Sequence, residues 1–98
     1  MKATKRSANG TSFFNETIRM SVNDARKILG EPKYENNTGE DKVNFTWVME
    51  TYSGDVFTVY DYKEYRVLDE NEMIEWHIGG DDELITEEAL NEMASALE

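Results

Sequence analysis

Apolar residues recur along this chain at two different spacings. From Val43 to Thr51 they alternate: Val43, Phe45, Trp47 and Met49 fall on one side, Asn44, Thr46, Val48 and Glu50 on the other. A period of two predicts a strand whose first set faces the core. Ser53-Gly54-Asp55 then makes a short connection into a second strand from Val56, with Phe57 and Val59 on one face and Thr58 and Tyr60 on the other. Ile74, Trp76 and Ile78 alternate with Met73, Glu75 and His77 in a further strand, and Gly79-Gly80 predicts the turn that ends it. Thr11–Met20 supplies another set of β-formers. Phe13 and Phe14 are neighbours there, so they point to opposite faces, one expected in the core and one exposed, in a pocket or against another subunit.

The second spacing is helical. Val22, Ala25, Ile28 and Leu29 form one stripe, with Ser21 as N-cap, Asp24 as its capping-box partner, Gly30 at the C-terminal end and Pro32 beyond. Leu90, Met93, Ala94 and Leu97 form a second stripe, for which Thr86 is the expected N-cap, with Glu87 and Glu88 at the positive end of the dipole. Residues 33–42 read as a polar loop. The order β-α-β-β-β-α implies an α+β fold, a small, mainly antiparallel sheet with two packed helices. Residues 1–10, with Lys2, Lys5 and Arg6, read as a mobile basic arm ahead of a single domain at 11–98.

The chain of 98 residues contains no cysteine, which excludes disulfides and thiolate metal sites. No apolar run approaches a membrane span or a signal-peptide core, so a cytoplasmic, soluble protein is expected. The net charge of −11 argues against binding polymeric nucleic acid. That charge is uneven: residues 1–34 hold seven bases and three acids, residues 35–98 three bases and eighteen acids. An acidic half of this kind is a solvating surface, or an imitation of DNA offered to a basic host protein.

The most unusual composition lies at Val56–Arg66, V-F-T-V-Y-D-Y-K-E-Y-R, a strand that turns aromatic and charged at its end. Tyr60, Tyr62 and Tyr65, with Trp47 and Trp76, give more flat rings than a small core needs, and bases stack on such rings. Ser12, Asn15, Lys63 and Arg66 add donors suited to a phosphate or a base edge. No catalytic arrangement is legible. His77 shares a strand face with Glu75, but no nucleophile is tied to it by spacing. Asp81-Asp82-Glu83 matches no calcium loop, and there is no phosphate-binding glycine motif. The expectation is a binding protein without metal or cofactor, and not an enzyme.

Five ordered segments carry a resemblance: G-T-S-F-F-N at 10–15, L-G-E-P at 29–32, D-K-V-N-F-T-W at 41–47, G-D-V-F-T-V-Y-D-Y-K-E-Y-R at 54–66 and I-E-W-H-I-G-G at 74–80. Together they resemble a family of small bacteriophage anti-defence proteins, the anti-CBASS nucleotide sponges; the family pattern favours tryptophan where this chain has Tyr62. The resemblance implies a homo-oligomer in the host bacterial cytoplasm that encloses a cyclic nucleotide or dinucleotide without cleaving it. It also implies that Phe13 or Phe14 and Tyr60 or Tyr62 stack on bases, that Ser12 and Asn15 form hydrogen bonds, and that Lys63 and Arg66 face phosphates. Trp76 and His77 would line the site, although Trp76 fits the core equally well. The rival reading is an acidic DNA-mimic-type inhibitor that binds a host defence protein directly. A third is a structural subunit whose spare aromatics form its interface.

Overall fold

The computed structural model describes residues 1–98 and contains eight elements. They are β1 (Lys2–Ala3), β2 (Ser12–Met20), α1 (Val22–Leu29), β3 (Tyr34–Glu35), β4 (Phe45–Glu50), β5 (Val56–Tyr60), β6 (Ile74–Gly80) and α2 (Glu83–Leu97). The sheet runs β1-β4-β5-β6-β2, with β3 also on β4 and every pairing antiparallel. The α+β architecture and the order of the longer elements are those the hydrophobic pattern implies. Two short strands are additional. β1 takes residues out of the expected basic arm and lays them along Met49 and Glu50, and β3 comes out of the segment expected as a polar loop.

Period-two alternation decides which residues are buried. Phe45, Trp47 and Met49 of β4, Phe57 and Val59 of β5, and Ile74, Trp76 and Ile78 of β6 all enter one core cluster. Ile18 and Met20 of β2 join it, as do Val22, Ala25 and Leu29 of α1 and Ala89 and Met93 of α2. Both helices therefore cover the same face of the sheet. The two indoles meet edge to face at 5.4 Å, and each satisfies its buried N–H on a backbone carbonyl, Trp47 on Gly30 and Trp76 on Met20. The Ser21–Asp24 capping box forms in both directions at the start of α1.

Two helix and strand starts differ from the sequence reading. The β4 ladder starts at Phe45 rather than Val43, because the buried Asp61 carboxylate takes the N–H groups of Asn44 and Phe45 at 2.9 and 2.8 Å. Burial pushes the Asp61 pKa up, against the lowering effect of these hydrogen bonds. α2 starts at Glu83, capped by Asp82, whose side chain accepts from the Ile85 N–H. Thr86 is not the cap: it is fully buried one turn inside, its hydroxyl donating to the Glu83 carbonyl. The buried stripe consequently runs through Thr86, Ala89 and Met93, leaving Ala94 and Leu97 exposed.

Gly79 and Gly80 do not form a turn; both lie inside β6. A Cβ at Gly79 would stand 2.5 Å from the Thr58 hydroxyl oxygen. Glycine is needed there for close packing between neighbouring strands rather than for an unusual backbone angle.

Candidate functional site

The register of the sheet places two rows of side chains on the face away from the helices. One row is Val48, Thr58, Gly79 and Phe13; the next is Thr46, Tyr60, His77 and Thr17. Residues directly opposite across a ladder share a face, so these rows bring residues from four strands together. Three of the four longer strands contribute a ring, and the chain just beyond β5 adds a fourth.

The rings form one cluster. Phe13 stacks on His77 with centroids 4.0 Å apart and planes within 12°. Tyr62 lies 5.0 Å from His77, and Tyr60 meets His77 edge-on at 5.5 Å and Tyr62 edge-on at 6.3 Å. Gly79, opposite Phe13 in the register, forms the floor beside Tyr60: a Cβ there would stand 3.7 Å from the Tyr60 ring. The Lys63 ammonium lies 5.2 Å from the Tyr62 ring centroid, at the rim. Phe13 and Tyr62 are 38% and 40% exposed, so the cluster faces solvent on one side.

Local backbone features present these groups. Between the Phe13–Gly79 and Thr17–His77 pairs, Phe14, Asn15 and Glu16 stand opposite Ile78 alone, and Asn15 adopts φ +69°. This bulge bends β2 immediately after Phe13. On the other side, Asp61 ends the β4–β5 ladder, and Lys63 and Tyr65 take the left-handed conformation at φ +57° and +51°. Such backbone is unfavourable for a residue with a Cβ and persists where surrounding contacts fix it. Those contacts are present. The Lys63 N–H donates to the Lys42 carbonyl, Asn44 donates to the Arg66 carbonyl, and Asn37 bonds both the N–H and the carbonyl of Leu68. Gly39 presses against the Arg66 backbone so closely that a Cβ would sit 2.6 Å from its Cα.

Burial pushes the His77 pKa below its ordinary 6.5, the nearby Glu75 carboxylate opposing the shift only in part. Burial, together with Tyr62, holds the Tyr60 phenol above its ordinary 10.0. Both rings are accordingly neutral at pH 7, and neither tyrosine hydroxyl of the cluster bonds to another protein group.

Of the ten residues singled out from sequence, the fold gathers Phe13, Tyr60, Tyr62 and His77, with Lys63 beside them. The other five lie apart. Trp76 is fully buried on the helix side, since strand alternation turns it away from His77. Ser12 pairs with Gly80, whose missing Cβ would meet Ile85 and Thr86, so Ser12 also belongs to the helix side. Phe14 and Asn15 are in the bulge. Arg66 is engaged by Glu72 at 2.8 Å and Glu64 at 3.6 Å, and both acids keep its pKa raised. Gly79, which the sequence predicts in a turn, lines the same face with Thr58 and Thr17, which were not among the ten. Nor was Arg19, which sits opposite Glu75 one step beyond the His77 row and is exposed. Arg19 was legible: once Ile18 and Met20 are assigned to the core, alternation sends it outward.

A separate feature lies at the start of α2. Carboxylate oxygens of Glu16, Glu83 and Glu87 come within 4.8 Å of one another, and none of the three is paired with a base. No helix of the molecule is long and apolar enough to cross a membrane. No protein-family model, characterised protein or solved structure matches the chain.

Proposed function

We propose that the protein is a nucleotide-binding protein that sequesters a cyclic nucleotide or dinucleotide by stacking its bases on the exposed ring cluster. The observation that carries this reading is the convergence of Phe13, Tyr60, Tyr62 and His77 on one sheet face with Lys63 at the rim. Rings supply sequence-tolerant stacking worth about 1–3 kcal/mol per base, and a rim cation suits a phosphate. The free tyrosine hydroxyls offer donors and acceptors to a base edge. The resemblance to phage anti-defence sponges agrees with this chemistry and sets the context: the protein, made in an infected bacterial cytoplasm, holds a signalling nucleotide away from its receptor without cleaving it. A homo-oligomer whose subunits close over the rings would increase the enclosure.

Calorimetric titration of the purified protein with cyclic dinucleotides, cyclic ADP-ribose isomers and common mononucleotides tests the proposal. The expected result is tight binding of one cyclic nucleotide, recovered intact after heat release, and a raised melting temperature. A ligand at a hundred times its Kd adds about 2.7 kcal/mol to native stability. Tyr62→Ala and Lys63→Ala should each weaken that binding by roughly tenfold or more while leaving the fold intact. Recovery of a cleaved product would make the protein an enzyme, and absence of binding across the series would remove the proposal.

The unpaired acidic group at the start of α2 favours a second reading, an acidic inhibitor docking on a basic host defence protein. That reading predicts salt-sensitive capture of such a partner, weakened by replacing Glu83 and Glu87 with glutamine and indifferent to Tyr62→Ala.

A further inference from the structure

Resting on the nucleotide-stacking reading, the geometry points to Phe13 as a displaceable ring. We infer that Phe13 occupies the position above His77 that a planar heteroaromatic base takes when bound, and that the base displaces it.

The rings of the cluster fill one another's space. The molecule's three cavities, of about 350, 260 and 440 Å³, lie along the N-terminal strand, the β4–β5 turn and the second half of α2, and none is lined by a ring of the cluster. A base that is to stack on the His77 face must therefore replace the ring already stacked there. Phe13 is already stacked as such a base would be: nearly parallel to His77, at 4.0 Å, with more than a third of its surface open. No other pair in the cluster is parallel; Tyr60 and Tyr62 meet their neighbours edge-on or tilted.

The backbone under each ring indicates which one yields. His77 is on β6 and Tyr60 on β5, both with hydrogen-bonded neighbours on two sides. Tyr62 directly follows Asp61, whose carboxylate is fixed by two backbone N–H groups. Phe13 is on β2, an edge strand paired on one side only, and the register breaks immediately after it. Bulges at sheet edges are where a strand's side chains are re-aimed. Phe13 also has no ring partner other than His77, so moving it disrupts one aromatic contact and no hydrogen bond. The base that enters regains the His77 face, approaches the free hydroxyls of Tyr60 and Tyr62, and can extend a phosphate towards Lys63.

Titration of labelled protein with adenine and with cyclic di-AMP, followed through the His77 ring protons, tests the assignment. The variants are Phe13→Ala and, to keep apolar bulk, Phe13→Leu, with amide spectra confirming that each is folded. If Phe13 occupies the ligand's place, Phe13→Ala binds adenine and cyclic di-AMP roughly two- to tenfold more tightly than the parent, the worth of one aromatic pair. The His77 protons move in both proteins, and Phe13→Leu falls between them. Weaker binding by Phe13→Ala, with the parent still binding, makes Phe13 a fixed wall of the site and overturns the inference while leaving nucleotide binding intact. Binding of neither ligand by parent or variants overturns the inference, and the reading beneath it falls with it only when the wider nucleotide series also fails to bind.

Discussion

The two faces of this sheet are built from the same strands, residue by alternate residue, and they differ in what completes them. On the inner face Trp47, Trp76 and Phe57 are covered by two helices, and every indole N–H has a carbonyl. On the outer face Phe13, Tyr60, Tyr62 and His77 have one another, the Lys63 ammonium at the rim, two hydroxyls without partners and open solvent. Aromatic content alone does not distinguish a core from a binding surface. Closure does: a face whose polar atoms are satisfied internally is structure, and one whose polar atoms are not is available to a ligand.

The comparison predicts that stability and binding separate by face, and the largest effect belongs inside. Trp76→Ala should cost about 3–5 kcal/mol by leaving a cavity and an orphaned carbonyl at Met20. Tyr62→Ala should cost about 1 kcal/mol or less, the worth of its ring contacts. Urea denaturation of the two variants reads the difference, and equal losses would end the distinction between the faces.

Next in size is the residue that ends the β4–β5 ladder beside the ring cluster. Asp61→Ala strands the N–H groups of Asn44 and Phe45 and should cost about 2–4 kcal/mol. Asp61→Asn keeps an acceptor oxygen and removes a charge that burial disfavours, so it should recover most of that loss. Thermal unfolding near pH 7 orders the three proteins; Asn as damaging as Ala would mean that charge, not an acceptor, is what the β4 end requires.

Gly79→Ala should cost about 1–3 kcal/mol, because the new methyl meets the Thr58 oxygen at 2.5 Å. Thr58→Ala in the same chain removes that oxygen and should restore part of the loss, a coupling that a double-mutant cycle measures. Additive losses would place the strain elsewhere.

How much of this was legible in the sequence follows from the same two faces. The inner face was, because period-two burial and a helical stripe are local signals, and Phe45, Trp47, Phe57, Ile74 and Trp76 obeyed them. The outer face was legible only in part. Phe13 and Tyr60 were picked out for their chemistry, but that Phe13 sits opposite Gly79, and Tyr60 opposite His77, depends on strand order and register. The double glycine illustrates the limit: locally it resembles a turn, and only the approach of Thr58 explains why it continues the strand. Asp61 is one charge among many in the sequence, and nothing in V-Y-D-Y announces two backbone donors from another strand. Thr86 satisfied the rule for a cap, as did Asp82. The choice fell to Asp82 because Thr86 is buried beneath the sheet and Asp82 is not.

The smallest predicted effect tests whether the outer face contributes anything to folding without a ligand. Burial among the rings holds the His77 pKa below 6.5, the value it regains on unfolding. The unfolded chain therefore binds the proton more readily between the folded pKa and 6.5, and stability rises with pH across that window. The contribution of neutral His77 is complete above 6.5, declines as pH falls through it, and is fully lost below the folded pKa. Denaturation midpoints measured from pH 7.5 down to pH 5 should show this decline for the parent, superimposed on that of the carboxylates, and a shallower one for His77→Gln. Phe13→Ala should also flatten it, because opening the stack rehydrates the imidazole and returns its pKa towards 6.5. Identical slopes in all three proteins would mean that the ring cluster does not couple to folding, and that its packing has consequences only for what binds there.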